Sequence, residues 1–531
     1  MMLDKTAIMA LLQKRFENES FKSMREIPPP HLFAGMGEAV RIISEALARK
    51  RKIFIIGDYD VDGVVGTTIV YDFLQSLGAN IGFAIPNRFT DGYGISPALI
   101  ARLGLHDCVI ITIDNGISAL EAAELCAQNN NTLIITDHHT PPPILPRAAT
   151  IINPKLAHCP FPQKEICGAN VGWYLVAAIK AHLGIAYDMN ASLDLLALAI
   201  IADVMPLVGI NRLLLRRGLA RLADSKRPAC VVLRDELKKK SFSSEDVSYF
   251  IAPLLNSAGR MADASLSVAF LRAPNLAQAR EHFGTLQALN SERKAIENTL
   301  LEQALGQIQN GEPAKIALAY GEGWHEGVLG IVAARLSERT GLPSFVLARK
   351  DSVLKGSGRS FGDVNLIELL HSHAHLLRRF GGHKGAVGLE IDISRLGDFV
   401  REVSAALTHG AREQGEDDAQ PKYMGEIEAG SIDEELLHIL DSFEPYGEAN
   451  PKPRFLCRDL IVREIRNVGL AQNHTALLLQ PNGQAHRFKA IAFNQHYELG
   501  IGSRVDSVFA LSRDSYSQNP QLVIENLRVM S

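Results

Sequence analysis

The chain has 531 residues, of which 47% are hydrophobic and 21% charged, with a net charge of −4. That length implies about three or four domains at roughly 150 residues each. The composition excludes a mainly disordered protein, and the slightly acidic balance confines any nucleic-acid-binding surface to local patches.

The opening MMLDKTAIMALLQKRF mixes charges with apolar residues and does not read as a secretory signal, so residues 1–45 are expected to form a helical segment. From Arg51 to about Ile152, short β-branched runs (Ile53–Ile56, Ile81–Ile85, Val109–Ile113, Leu133–Thr136) alternate with helical stretches such as Thr67–Leu77 and Ser118–Ala127, the pattern of a parallel α/β sheet. A loop rich in Pro, Cys and Gly follows from Asn153 to Gly172, then apolar helices through Asp203. The longest apolar run, Leu195–Ile210, is 16 residues and contains Asp203, too short and too charged for a membrane span. Residues 46–245 read as the first domain. Within it, 211–240 holds ten Lys/Arg against three Asp/Glu, a basic surface in an acidic chain.

Residues 246–310 read as a connecting region with a long helix over Leu276–Ile308. A second α/β domain is expected at 311–415, with strands Ile316–Ala319 and Ser344–Leu347 and a helix over Gly330–Arg339. The acidic stretch 412–418 is the linker candidate. Strand-like runs at Asp459–Ile465, Thr475–Gln480, Ala490–Phe493, Val505–Leu511 and Gln521–Val529 predict a small β-barrel over 420–531. Six cysteines without a CxxC pair read as reduced thiols of a cytoplasmic protein, and nothing suggests membrane association.

Three strands of the first domain end in acids: GDYDVDG at 57–63, DNG at 114–116 and DHH at 137–139. Ligands bind at the carboxyl edge of an open parallel sheet, so these side chains should converge. Two unit charges about 4 Å apart repel by roughly 4 kcal/mol at an effective dielectric near 20, so several carboxylates sharing a pocket need cations. Carboxylates with one or two imidazoles suit Mn2+ or Mg2+, and no cysteine stands nearby to suggest structural zinc. A lone DxD after a strand is ordinarily a turn or helix cap, but three acidic ends in consecutive βαβ units point to metal. Asp203, closing an apolar helix, needs a partner, and the same metal site supplies one.

These motifs, with AlaAspValMet at 202–205, resemble in order those of the DHH phosphoesterase family. The likeness continues through NSAGRM (256–261), WHEGVLG (324–330), GSGRS (356–360) and GGH (381–383), and within the family it points to exonucleases acting on single-stranded DNA. The resemblance implies a DHH catalytic domain, a DHH-associated domain and an OB-type barrel, with the strand held in a cleft between the first two. It implies two divalent cations, Mn2+ or Mg2+, held by Asp58, Asp60, Asp62, Asp114, His138, His139 and Asp203. Motif order does not reveal which residue bridges the ions. Asp58 is a direct ligand or a supporting group, and Asp137 orients the histidines.

In the same context Arg260, Ser357, Arg359, Ser360 and His383 become phosphate contacts, although GSGRS and GGH taken alone read as glycine turns. Arg88 would guide nucleotides and Tyr93 would stack on a base or simply pack. Arg463, Arg466, Arg487 and Lys489, among strands carrying Phe488 and Phe493, would grip single strands weakly, or form a solvated barrel face over core phenylalanines. His371, His373 and His375 are discounted as ligands because residues two apart on a helix face different ways. Cys159 and Cys167 match no zinc spacing and read as loop packing.

The leading expectation is a 5′ to 3′ exonuclease releasing mononucleotides during DNA repair and recombination. Its partners would be single-stranded DNA, a single-strand-binding protein and a helicase, and it would act as a monomer. The alternatives are a phosphodiesterase for short oligonucleotides or cyclic dinucleotides, which the C-terminal barrel disfavours, and an inactive scaffold, which the intact metal set disfavours.

Overall fold

A computed structural model describes the chain except residues 1, 18, 20, 311–314, 408–421, 470–471, 515–518 and 531. The acidic linker candidate at 412–418 therefore lies outside the described residues.

The chain opens with a two-residue strand, β1 (Met2–Leu3), whose partner lies near the other end of the sequence. The first domain is built on β2 (Ile53–Gly57), β3 (Ile81–Ala84), β4 (Val109–Ile113), β5 (Thr132–Thr136) and β6 (Thr150–Ile152), all parallel in the order β3-β2-β4-β5-β6. Both faces are covered. Ile53, Ile55, Ile111 and Ile113 pack under the helices Met36–Ala48, Val61–Ser76 and Gly168–Leu183. The alternate residues Phe54, Ile56, Ile110 and Ile135 pack under Pro97–Leu103 and Leu120–Gln128. Burial on both faces is why these strands are continuous apolar runs rather than alternating ones.

GSGRS, which reads locally as a glycine turn, is a strand through Arg359 with Ser360 just beyond it, and NSAGR lies in the helix Ala252–Met261. The helix Leu276–Asn310 then leads to the second domain. Its sheet comprises β7 (Ala317–Glu322), β8 (Ser344–Lys350), β9 (Val353–Arg359), β10 (Leu377–Gly382) and β11 (Ala386–Asp392), in the order β10-β11-β9-β8-β7. Gly356 and Gly358 are needed for packing, not for turning: a Cβ on Gly356 would meet the Val346 carbonyl oxygen at 2.1 Å, and one on Gly358 the Phe345 ring at 2.7 Å. The discounted histidines are apart in role. His373 Nδ1 lies 2.7 Å from the Leu369 carbonyl oxygen, His371 meets the Phe380 ring, and His375 faces Glu402.

The last sheet holds β12 (Gly425–Ile427), β13 (Arg454–Val468), β14 (His474–Pro481), β15 (Phe488–Ala492), β16 (Arg504–Arg513) and β17 (Pro520–Val529). The ring β13-β14-β15-β17-β16 closes through β13–β16 pairing into a five-stranded barrel. The N-terminal segment is not a unit of its own. β1 pairs in parallel with β12, and Ile8 and Leu12 of the helix Lys5–Arg15 are fully buried among Leu436, Leu440 and Phe455 of the barrel. The next helix, Met36–Ala48, belongs instead to the first domain.

The basic stretch 211–240 is also partly structural. Arg212 is buried, stacks 3.9 Å from the Phe16 ring centroid, pairs with Glu19 at 3.1 Å and donates to the Phe443 carbonyl oxygen at 3.1 Å, tying the first domain to both parts of the barrel unit. Arg227 pairs with Asp194 and Asp72. No described helix is long and apolar enough to cross a membrane.

Truncating a fully buried isoleucine costs about 2–5 kcal/mol. Ile8→Ala is therefore expected to destabilise the C-terminal barrel by about that amount, read as an earlier denaturant transition from Trp-free barrel probes such as Phe or Tyr absorbance.

Candidate metal centre

The carboxyl ends of β2, β4 and β5 converge as the motif spacing implies. Asp60 is a helix cap after all: its Oδ1 accepts from the backbone N–H groups of Asp62 (3.0 Å) and Gly63 (3.2 Å) at the start of Val61–Ser76. The cap and the cluster are compatible because Asp60 also stands with Asp58 and Asp114 in one group of potential ligand atoms within 4.8 Å of each other. Gly63 is required here, since a Cβ would lie 2.4 Å from the Asp58 backbone nitrogen.

Asp114 ends β4 in the left-handed region at φ 63°, a strained conformation for a non-glycine residue. Asn115 holds it there. Its amide donates to the carbonyl oxygens of Ile56 (3.0 Å) and Ile113 (2.8 Å), and its Oδ1 accepts from Ile95 N (2.9 Å), tying two strand ends together. Asp137 does the same for the histidines. One oxygen accepts from the backbone N–H groups of His138 (2.7 Å) and His139 (3.0 Å) and lies 2.7 Å from His139 Nδ1, while the other accepts from Ile117 N.

Asp62 takes two backbone N–H bonds at the start of Gly168–Leu183, from Gly168 (2.6 Å) and Ala169 (2.8 Å), so it satisfies the positive end of that helix while facing the cluster. This contact and the Asn115 tie escaped the sequence reading. The clue to the first is a helix that begins at Cys167-Gly168 without a side-chain cap.

Three groups fit a cation: Asp114, His138 and His139; Asp62, His138 and Asp203; Asp58, Asp60 and Asp114. They overlap at His138 and Asp114, as ligands shared by neighbouring cations would. Asp114 Oδ1 and His138 Nε2 lie 3.1 Å apart, yet neither is hydrogen-bonded, and Asp58 Oδ1 and Asp203 Oδ2 are likewise buried without a partner. Orphaned acceptors aimed at one another are costly unless an ion sits among them. The residues thus fit divalent cations with oxygen and imidazole ligands.

The electrostatics agree. Burial, then repulsion from neighbouring carboxylates, pushes Asp58 and Asp114 well up and raises Asp62 to about 7 and Asp203 to about 8. Burial lowers the His138 imidazole. For His139 burial also acts downward, but the Asp137 carboxylate outweighs it and lifts the ring to about 9.

Near these acids stand three arginines, none ion-paired with Asp or Glu among the described residues; Arg88 acts on Asp58, and Asp60 acts on Arg260. Arg88 stacks 4.2 Å from the Tyr59 ring centroid, with its Nε buried and unpartnered. Arg260 donates to the Gly327 carbonyl oxygen at 3.2 Å. Its own burial, then the charges of Arg88 and Arg293, lower it to about 10. Arg359, lowered by burial, lies against Gly330, where a Cβ would meet its Nη2 at 2.8 Å and the Ser357 hydroxyl at 3.5 Å. His383 is lowered by burial, then by Arg359 and by His139 across the cleft. Ser360 is a partial exception, because its hydroxyl is taken by the Val364 carbonyl oxygen. Tyr93 is half exposed, with its hydroxyl 3.4 Å from the Asp114 carbonyl oxygen and its ring edge-on to Tyr59 and His139.

Family models match the DHH family N-terminal domain over residues 52–200, the DHHA1 domain over 314–409 and the RecJ OB domain over 424–526. The single-stranded-DNA-specific exonuclease RecJ of Dickeya dadantii is 32% identical over 98% of this chain and 96% of its own length, and that of Escherichia coli 31% over 97% and 93%. The chain belongs to the RecJ family. A crystal structure of RecJ from Thermus thermophilus in complex with Mn2+ superposes with a TM-score of 0.81 at 27% identity, covering 99% of this chain and 78% of the other, and a Mg2+ complex of that protein also matches.

In this RecJ-family chain the expected barrel face is more mixed than its sequence suggests. Phe488 is core, Phe493 is half exposed against His474, Arg463 donates to Gln480 (2.7 Å), and Lys489 faces Asp514 (3.6 Å). Arg466 and Arg487 remain exposed to solvent. Cys159 and Cys167 are both buried, Cys167 beside Asp62.

Cation binding needs ionised carboxylates, whereas burial and repulsion hold Asp62 and Asp203 partly protonated near neutrality. Mn2+ binding is therefore expected to release protons and to tighten as pH rises from about 6 to 9, spanning the values near 7 and 8. Titration calorimetry in buffers of different ionisation enthalpy checks this.

Proposed function

We propose that this chain is a metal-dependent exonuclease that hydrolyses single-stranded DNA 5′ to 3′ to mononucleotides, in DNA repair and recombination. The observation that carries the reading is the juxtaposition of overlapping acid-imidazole groups holding orphaned buried oxygens with nearby arginines, Arg88 and Arg260, that have no carboxylate ion pair among the described residues. When bound, two cations supply an activated water and neutralise charge on the scissile phosphate. Asp58, Asp60, Asp62, Asp114, His138, His139 and Asp203 would hold them, with Asp137 fixing the His139 imidazole and the backbone of His138, and Asn115 tying the strand ends beside Asp114.

Arg260 and Arg359 bind the phosphate at the strand end with Ser357 and His383 beside them, because a guanidinium buried without a carboxylate is best satisfied by an anion. Arg88 steers the adjoining phosphate and Tyr93 packs on a base. Ser360 positions its strand end rather than touching phosphate through its hydroxyl. The polarity rests on the family resemblance. The domains are 46–245 (catalytic), 246–310 (connecting), 311–415 (substrate-binding) and 420–531 (barrel), the last extended by residues 2–15. The barrel grips the strand through Arg463, Arg466, Arg487 and Lys489. The protein acts as a cytoplasmic monomer beside a single-strand-binding protein and a helicase.

End-labelled single strands of both polarities, with duplex and short-oligonucleotide controls, test the reading in Mn2+, Mg2+ or chelator. Labelled mononucleotide is expected at once from 5′-labelled single strands and only at the end of digestion from 3′-labelled ones, and products independent of added metal would overturn the mechanism. Asp114→Ala should remove activity by several orders of magnitude in a folded protein. Arg359→Ala and Arg260→Ala should each weaken strand binding about tenfold to a hundredfold, the worth of a charged hydrogen bond, without changing Mn2+ affinity. A loss of metal affinity equal to that of Asp114→Ala would place the arginines in the metal site instead.

A further inference from the structure

Part of the basic stretch 211–240 gathers at a place the catalytic reading does not use. The helix Gly209–Asp224 carries Arg221 in its last turn, Lys226 follows in the short connection, and Arg227 precedes the helix Pro228–Leu237. With Arg272 these four cations line a cavity of about 320 Å³, and among the described residues lining it the acids are Asp72 and Asp194. The cavity is remote from the metal centre. Asp72 lies ten residues after Asp62 on the helix Val61–Ser76, and Asp194 nine residues before Asp203 at the other end of Leu193–Ala202. About 14–15 Å of helix therefore separates it from the ligands on either path.

Two of the guanidinium groups are fixed. Arg272 stacks 4.1 Å from the Tyr71 ring centroid, and its Nε and Nη2 donate to Asp72 (2.5 Å) and Gln75 (2.7 Å). Arg227 donates through Nε to Asp194 (3.4 Å) and through Nη1 to the Leu271 carbonyl oxygen (3.3 Å), with Nη1 also 3.7 Å from Asp72. Arg227 Nη2 and Arg272 Nη1 have no acceptor among the described residues. Asp194 is already engaged, since Oδ2 also accepts from the Ser225 hydroxyl (2.6 Å) and Oδ1 from Leu195 N (2.8 Å). Arg221 and Lys226 are exposed and have no ion pair among the described residues. Surface cations are ordinarily just solvated. Here four surround one concavity against two carboxylates, and two of them are held in place before any ligand arrives, which lowers the ordering cost of binding.

We propose that this cavity is a binding site for a phosphate dianion, free or carried by a mononucleotide. A phosphate monoester bears about −1.5 to −2 charges near neutrality, which matches the local excess of cations. Its oxygens take paired N–H donors from guanidinium groups, and Lys226 adds a compact point charge. The volume is at the lower end for small-molecule pockets, so it admits one nucleotide and not an oligonucleotide. No aromatic side chain among the described residues lines it to stack on a base. The phosphate is therefore the part recognised, and none of these side chains belongs to the metal centre or to the phosphate contacts proposed beside it.

The test uses the full chain carrying Arg359→Ala, which weakens the phosphate contacts near the metals, in buffer with chelator. Binding of inorganic phosphate and of thymidine 5′-monophosphate is followed by calorimetry. One saturable site per chain is expected. Arg221→Glu with Lys226→Glu should weaken it about tenfold to a hundredfold, the worth of a charged hydrogen bond. The exchange Arg221→Lys with Lys226→Arg should retain it, which separates charge from a folding defect. Phosphate should also slow acylation of Lys226 relative to Lys240, read by mass spectrometry. Equal affinity for both probes assigns the site to the phosphate group alone, and a tenfold preference for the nucleotide assigns it to a mononucleotide. No saturable binding of either probe, or binding that survives the charge reversal and leaves Lys226 unprotected, overturns the site. Weakened binding of long single strands by the charge-reversed protein, with phosphate binding unaltered, assigns the cations to a DNA strand and also overturns it.

Discussion

Everything in the first domain is arranged around one electrostatic conflict. Acidic side chains are brought by separate strand and helix ends into a pocket with little water, where each pair at about 4 Å repels by roughly 4 kcal/mol at a dielectric near 20. Only protons or cations relieve it, and the lifted carboxyls at Asp62 and Asp203 show the conflict in the protein alone. The fold supplies what holds the groups together regardless. Helix starts bind Asp60 and Asp62, Asn115 ties the strand ends beside the strained Asp114, and Asp137 holds the backbone N–H groups of both histidines and the His139 ring. Each support is anchored to backbone at a strand end or a helix start, which orients the ligand set.

The arginines near the acids have the complementary problem. Arg88, Arg260 and Arg359 come from three regions of the chain, and Arg88 and Arg359 both repel Arg260 while Asp60 attracts it. Arg88 in turn draws Asp58 down against its burial. A phosphate would satisfy such guanidinium groups, and cations would satisfy the carboxylates. A chain with net charge −4 handles a polyanion through local groups of positive charge rather than through its overall sign.

Much of this was legible in the sequence because parallel strands place their C-terminal residues at one edge, so GDYDVDG, DNG and DHH had to meet. Strand positions were legible for a related reason, since residues buried on two faces leave an unbroken apolar run such as Ile53–Ile56. What was not legible depends on neighbours remote in sequence. GSGRS reads locally as a turn, and only the backbone of Val346 at 2.1 Å explains Gly356 in a strand. The Ser360 hydroxyl is spent on a carbonyl four residues away. Of the basic residues at 211–240, Arg212 turned out to be buried in a junction between domains, where composition suggested a surface.

The least legible feature was the pairing of β1 with β12. Lys5 reaches Asp433 across 428 residues of sequence, so the start of the chain finds its place only after almost everything else has been synthesised. During translation Leu3, Ile8 and Leu12 remain without their apolar partners while the two preceding domains form. Arg212 likewise waits for Phe443 after its own domain has closed. Domains strung along a chain ordinarily fold in the order in which they are made. Here the last one to emerge must recapture the first residues, and its completion depends on a long-range encounter, a slow step whose cost is the entropy of closing the loop.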